Sequence, residues 1–429
     1  MSFNPIILAL SLLVFTACGS GTKHGETSPL VKNADFTDTF VYDGLSKYKM
    51  ILVDCVSATR ESNSCTLETL PFLSQEKTVP TKAMIMQRVV TSHAWMGERF
   101  SQMLDVLDDD IKMLLGAVTS IVIDDDIIPS YYWSLTGAMY IDPRYLWLTP
   151  EEASTITKKE DYRASFGNKL QFLETRRNLL NGKYATKYFS MENNDTRTLD
   201  DIEVNLASLL YHELAHANDY FPPYLRGEVD SSDTVLSALN SIFSKNITNK
   251  LYETYPLTSM SLSNMGQVMY KGEDATEEQK QVTAIDMGDL FENDNAVTMY
   301  AYSSGFEDTA TLFQNAMMKL HYNIEQDFAF LEKPIKTENL KCADYIVGWG
   351  QRNIIANEDV KRRALFVTKK ILPNIKDLDT LFETKLGKVQ NLPVQIDWCS
   401  AMDLNPSTNK QFKLQNQAIN PDDFKLLSL

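Results

Sequence analysis

Along several stretches of the chain apolar residues return every three to four positions, the spacing of one face of an α-helix. Between residues 81 and 115 the series runs Met84, Met86, Val89, Val90, Trp95, Met96, Phe100, Met103, Leu104 and Leu107, and predicts helix. From Leu199 to Asn218, the residues Ile202, Leu206, Leu210 and Leu214 recur at every fourth position. That segment opens with Asp200 and Asp201, acidic residues suited to a helix N-terminus, and stops before Pro222-Pro223. Phe306, Ala310, Phe313, Met317 and Leu320 predict a third helix over Tyr302 to Leu320, and a fourth is expected over Asp359 to Leu372. Strand signals are fewer. Ile121-Val122-Ile123 is short and β-branched. Gly137 to Leu148 reads as a strand that is broken or placed at a sheet edge by Pro143, since proline lacks a ladder donor. Tyr131 to Leu148 as a whole is dense in aromatic residues, which suit either pocket walls or core. The pattern is that of a mostly helical α+β chain.

The N-terminus has a different character. Ile6 to Phe15 is apolar apart from Ser11, too short to span a bilayer comfortably and typical of a signal-peptide core. It runs into Phe15-Thr16-Ala17-Cys18-Gly19, which resembles the lipobox of bacterial lipoproteins. The resemblance implies lipidation of Cys18, membrane attachment through that lipid, and a place in the bacterial envelope. Gly19 after the cysteine implies the outer membrane. The expected organisation is a signal peptide over 1–17, a polar tether over 18–36, a catalytic region over 37–335 and a helical extension over 336–429. Without Cys18, four cysteines remain: Cys55, Cys65, Cys342 and Cys399. An even number in an exported chain predicts disulfides. Pairing neighbours gives Cys55–Cys65 and Cys342–Cys399, one of three possible connectivities.

Composition narrows the function classes. With 429 residues and 44% hydrophobic content the chain can bury a large core. The net charge of −16 argues against binding nucleic acid, which needs clustered Lys and Arg. The runs Asp108-Asp109-Asp110 and Asp124-Asp125-Asp126 lack the spacing of a calcium loop and read as solvated turns.

The second of these predicted helices, ending at residue 218, carries chemistry, for it holds His212-Glu213-Leu214-Ala215-His216. Two histidines four apart share a helix face and can grip one Zn²⁺, with Glu213 between them as general base for water. A catalytic zinc takes three protein ligands. The pattern that would supply a third histidine at 222 is excluded by Pro222. The other histidines, His24, His93 and His321, lie in the tether or in amphipathic stretches without a motif. A carboxylate is therefore expected, and Glu307 and Glu273 compete. Glu307 lies on a predicted helix, while Glu273 follows a glycine in a turn-like stretch, and rigid elements make better sites.

Tyr300-Ala301-Tyr302-Ser303-Ser304-Gly305-Phe306-Glu307-Asp308-Thr309-Ala310-Thr311-Leu312-Phe313 carries an ExxAxxF run. Together with Asp219 three residues after His216, it resembles the gluzincin metallopeptidases related to the catalytic domain of anthrax lethal factor. The resemblance covers about Leu210 to Asp219 and Tyr300 to Phe313, and departs at Thr311, where that group usually has a second glutamate. It implies a zincin-like fold with a small mixed sheet, an HExxH helix and a second ligand-bearing helix. It also implies Glu307 as third zinc ligand and Tyr300 as the side chain facing the substrate carbonyl, with Tyr302 as the alternative. Asp219, or Asp308, would orient a ligand histidine. The expected activity is a zinc-dependent peptidase acting on peptides or proteins in the envelope. The alternatives are an inactive zincin-like binding lipoprotein and an enzyme cleaving peptidoglycan stem peptides.

Overall fold

The computed structural model describes residues 35–335, 338–405 and 420–424. The helix expected over 81–115 is interrupted by a strand, Val89–Thr91 (β2), lying between a short helix at Lys82–Met86 and the longer α1 (Ala94–Val106). Two valines and a threonine in succession suit a pleated surface, and all three are buried. Over so short a run the helical and strand periods cannot be told apart.

β2 belongs to a five-stranded sheet in the order β1 (Phe40–Val41), β2, β3 (Ile121–Ile123), β5 (Ala138–Ile141), β4 (Tyr131–Trp133). The three inner strands are parallel and the two outer ones antiparallel to them, so the sheet is mixed. The strand expected from Gly137 is interior, not an edge, and ends before Pro143. Asp142 there caps a 3₁₀ turn, accepting from the backbone N–H of Arg144 at 2.9 Å, with the proline as first helical residue. The edge is β4 instead.

Helix α2 (Leu199–Tyr220) starts with a reciprocal cap: Thr198 Oγ1 accepts from Asp201 N–H, and the Asp201 carboxylate accepts from Thr198 N–H at 2.9 Å. From Leu206 to Tyr220 every residue is buried, as expected of a helix threaded through an interior. Helices α3 (Met260–Tyr270) and α4 (Ala284–Glu292) follow, then a 3₁₀ segment at Met299–Ser303 and α5 (Gly305–Tyr322), which packs along α2. Gly266 of α3 lets the 3₁₀ segment approach closely: a Cβ there would meet the carbonyl oxygen of Tyr302 at 2.7 Å.

A second sheet, which the hydrophobic pattern does not announce, is antiparallel throughout. Its order is β10 (Gln390–Asn391), β9 (Val347–Arg352), β8 (Glu325–Glu332), β6 (Phe172–Leu180), β7 (Lys183–Tyr184). The region after residue 338 is therefore not helical alone. It supplies β9 and β10 as well as α6 (Glu358–Ile371). Arg177, Asp327 and Arg352 stand opposite one another on β6, β8 and β9. The two guanidiniums bracket the carboxylate at 2.6–3.1 Å, all of it buried. The segment around Trp398 covers this row, with Arg177 3.8 Å over the indole. Both expected disulfides are formed: Cys55–Cys65 beside the first sheet and Cys342–Cys399 beneath the second.

Candidate metal centre

α2 and α5 cross so that His212, His216 and Glu307 meet. Each element is fixed locally. On α5, Ser304 caps the helix by accepting from the Glu307 backbone N–H at 3.2 Å, which holds Glu307 in the first turn. On α2 the four-residue spacing stacks the two imidazoles on one face, with ring centroids 4.9 Å apart. The three donor atoms form a nearly equilateral triangle. His212 Nε2 lies 3.2 Å and His216 Nε2 3.3 Å from Glu307 Oε2, and the two nitrogens are 3.3 Å apart.

This trio can hold a metal ion, and among the described residues it is the one such group of three or more His, Cys, Asp or Glu side chains. The physical case is simple. The Nδ1 of His212 faces the Gln314 amide oxygen at 3.2 Å, a position that requires its proton there and leaves Nε2 as a lone pair. Burial lowers the pKa of His212, favouring that neutral form. Burial alone would raise Glu307, yet His216 and His212 hold its carboxyl well below the ordinary value. Two imidazole nitrogens and a carboxylate oxygen thus converge on one point away from water, and a proton or a metal cation shared among them offsets the cost of burying the carboxylate there. A tetrahedral ion bound at about 2.0–2.1 Å sets its donors about 3.3 Å apart, the spacing found here.

Glu213 is not one of the three donors, but it lies near enough to His216 and Glu307 to feel both charges, between them and the edge strand β4. The Tyr132 backbone on β4 hydrogen-bonds to its carboxylate, and its Oε1 is buried without a partner. Burial pushes its pKa up to about 8, against the opposing charges of His216 and Arg163. Tyr300 is buried in the 3₁₀ segment with its ring 6.3 Å from that of His212 and edge-on to Tyr270 at 4.9 Å. Tyr302 turns away toward Phe291, at 6.2 Å, and Asp294. Asp219 is buried beside His216. Its two oxygens accept from Thr248 N–H at 2.7 Å and Thr248 Oγ1 at 2.6 Å, and burial raises its pKa to about 6 despite these bonds. Asp308 does not serve a ligand histidine. Being next to Glu307, it faces another side of α5 and is gripped by both Nη groups of Arg363 from α6.

Other expected residues fall outside the centre. Glu273 is exposed at the end of α3 and forms no part of the trio. His93 precedes α1 and rests against Ser92. His321 bridges Asp108 and Asp110, so the first acidic run is engaged and not merely solvated. The second acidic run is also not a solvated turn, since Asp124 is 1% exposed. His24 and Cys18 lie outside the described residues. The sequence reading missed Gln314 and the Thr248 contact to Asp219. No motif marks either, and only the position of Gln314 two helical turns after Glu307 hints at a shared face. Comparison with known proteins returned no matching family model, no matching curated protein and no matching solved structure.

Proposed function

We propose that this protein is a zinc-dependent peptidase. The observation that carries the reading is the buried triangle of His212, His216 and Glu307 with the partnerless oxygen of Glu213 beside it. His212, His216 and Glu307 would hold Zn²⁺, which when bound supplies Lewis acidity to water and to the peptide carbonyl. The protein groups do the rest. Glu213 takes the proton from the attacking water and returns it to the leaving nitrogen. Tyr300, whose ring lies 6.3 Å from that of His212, would donate to the carbonyl oxygen as charge develops there. The outer edge of β4 offers main-chain groups to an extended substrate by strand addition.

Purified protein should carry about one zinc per chain, as a three-ligand site requires. Glu213→Gln should keep the zinc and lose about 10²–10⁴-fold in peptide hydrolysis. Full turnover in that variant, or absence of zinc from the unaltered chain, would overturn the proposal. The lipobox-like Phe15-Thr16-Ala17-Cys18 and the two disulfides support an envelope lipoprotein. Cys18→Ser should then release the chain from membranes in fractionation, and persistence in the membrane fraction would refute the anchor.

A further inference from the structure

Behind the triangle, at the His212 ring nitrogen opposite the one that faces Glu307, the candidate metal centre rests against an amide. Gln314 Oε1 faces His212 Nδ1 at 3.2 Å, and Gln314 Nε2 donates to Ser208 Oγ at 2.7 Å. Ser208 precedes His212 by one turn of α2, and Gln314 follows Glu307 by two turns of α5, so both helices that carry ligands contribute to this contact. All of it is buried; Gln314 is 2% exposed. Gln314 and Ser208 also line a small cavity between α5 and the second sheet, with room for about one water molecule. Its other polar walls are amides, Asn178, Asn315, Gln326 and Asn353, and it holds no charged side chain. The carbonyl oxygens of Gln326 and Asn353 are buried there without partners, as positions for ordered water.

We infer that Gln314 is the positioning residue of the metal centre: its amide oxygen fixes the His212 tautomer that presents Nε2 to the ion. The inference rests on the metal reading above and adds to it. An oxygen acceptor on Nδ1–H orients the ring, pins the proton and raises the basicity of the opposite nitrogen. Where the resemblance led one to expect a second carboxylate, at Thr311, the hydroxyl instead bonds back to the Asp308 carbonyl at 3.1 Å. Gln314, an uncharged acceptor, suits its surroundings. An amide there satisfies both neighbours at once, its oxygen facing His212 Nδ1 and its N–H donating to Ser208.

The test compares zinc affinity, by chelator competition, in the full chain and in Gln314→Met and Gln314→Glu. Methionine keeps the volume and removes the acceptor; glutamate keeps an oxygen facing Nδ1 and lets Ser208 donate instead. The metal-free melting temperature of each variant separates loss of packing from loss of positioning. Gln314→Met should weaken zinc binding about 10–100-fold, the usual cost of an outer-shell partner. Gln314→Glu should bind at least as tightly as the unaltered chain. Zinc affinity of Gln314→Met within threefold of the unaltered chain would overturn the inference. So would equal weakening in Gln314→Glu, because then the acceptor is not what matters. An unaltered chain that binds no zinc would instead remove the metal reading itself, so the two failures are distinguishable.

Discussion

At the scale of single residues, the centre is a problem in acceptor geometry. Three buried acceptors share one point, and only the side chain that completes the triangle can be the third ligand. Glu307 has that position, and Glu273 is at the protein surface. Glu307→Ala should therefore lower zinc affinity by more than about 100-fold, beyond the cost of an outer-shell contact, while Glu273→Ala leaves it unchanged. Isothermal titration with zinc would read both, and the reverse ranking would transfer the role to Glu273. His212, Glu213 and His216 were legible because their spacing is itself the geometry: four residues on a helix is one face. Glu307 was legible through its flanking Ala310 and Phe313. Gln314 was not, since an uncharged amide two turns from a ligand looks like any buried glutamine until the facing helix is in place. Asp308 was misjudged for a related reason. Adjacent residues on a helix point about 100° apart, so a carboxylate next to a ligand is turned toward a different neighbour, here Arg363.

At the scale of elements, α5 is held on both sides. α2 packs against its ligand-bearing face, and α6 sends Arg363 to Asp308 on another, with further bonds from the guanidinium to the Tyr255 and Asn295 carbonyls at 2.9 and 2.8 Å. Arg363 and Asp308 are 2% and 0% exposed. Breaking such a pair strands a charge away from water, at a cost of about 3–5 kcal/mol. Arg363→Ala should destabilise the chain by that amount in urea unfolding, whereas Asp308→Leu combined with Arg363→Met should recover most of it. A loss below about 1 kcal/mol for Arg363→Ala would mean the pair does not anchor the ligand helix. The pattern of apolar residues predicted α2 and α5 nearly to their ends, because long periodic runs with a cap or a proline stop have no competing reading. It failed over 81–115, where three β-branched residues were absorbed into a helical series. It failed again after 338, where β9 is set by pairing with β8 and the two-residue β10 by pairing with β9, contacts that no local apolar period records.

The whole molecule ties that pairing to the candidate metal centre. β9 joins β8, the strand that follows α5 after a two-residue link at Asn323-Ile324. Phe291 of α4 packs among Phe328, Phe330 and Trp349 of the same sheet, with centroids 5.0–5.8 Å away. The Arg177–Asp327–Arg352 row stays dry because the segment around Trp398 lies over it, and Cys342–Cys399 holds that segment in place. The bond spans 57 residues, and closing a loop of that size removes enough unfolded-chain entropy to stabilise by about 4 kcal/mol. Cys342→Ser combined with Cys399→Ser should lose up to that amount. If sheet, covering segment and ligand helices unfold as one unit, zinc at 100 times its dissociation constant adds about 2.7 kcal/mol to the doubly substituted chain as it does to the unaltered one. The denaturant curve of the variant would then show a single transition, moved to higher midpoint by zinc. Two transitions, only one of them responding to zinc, would show that the C-terminal region folds apart from the centre, and Arg363 would then be too weak a tie to carry the coupling assigned to it.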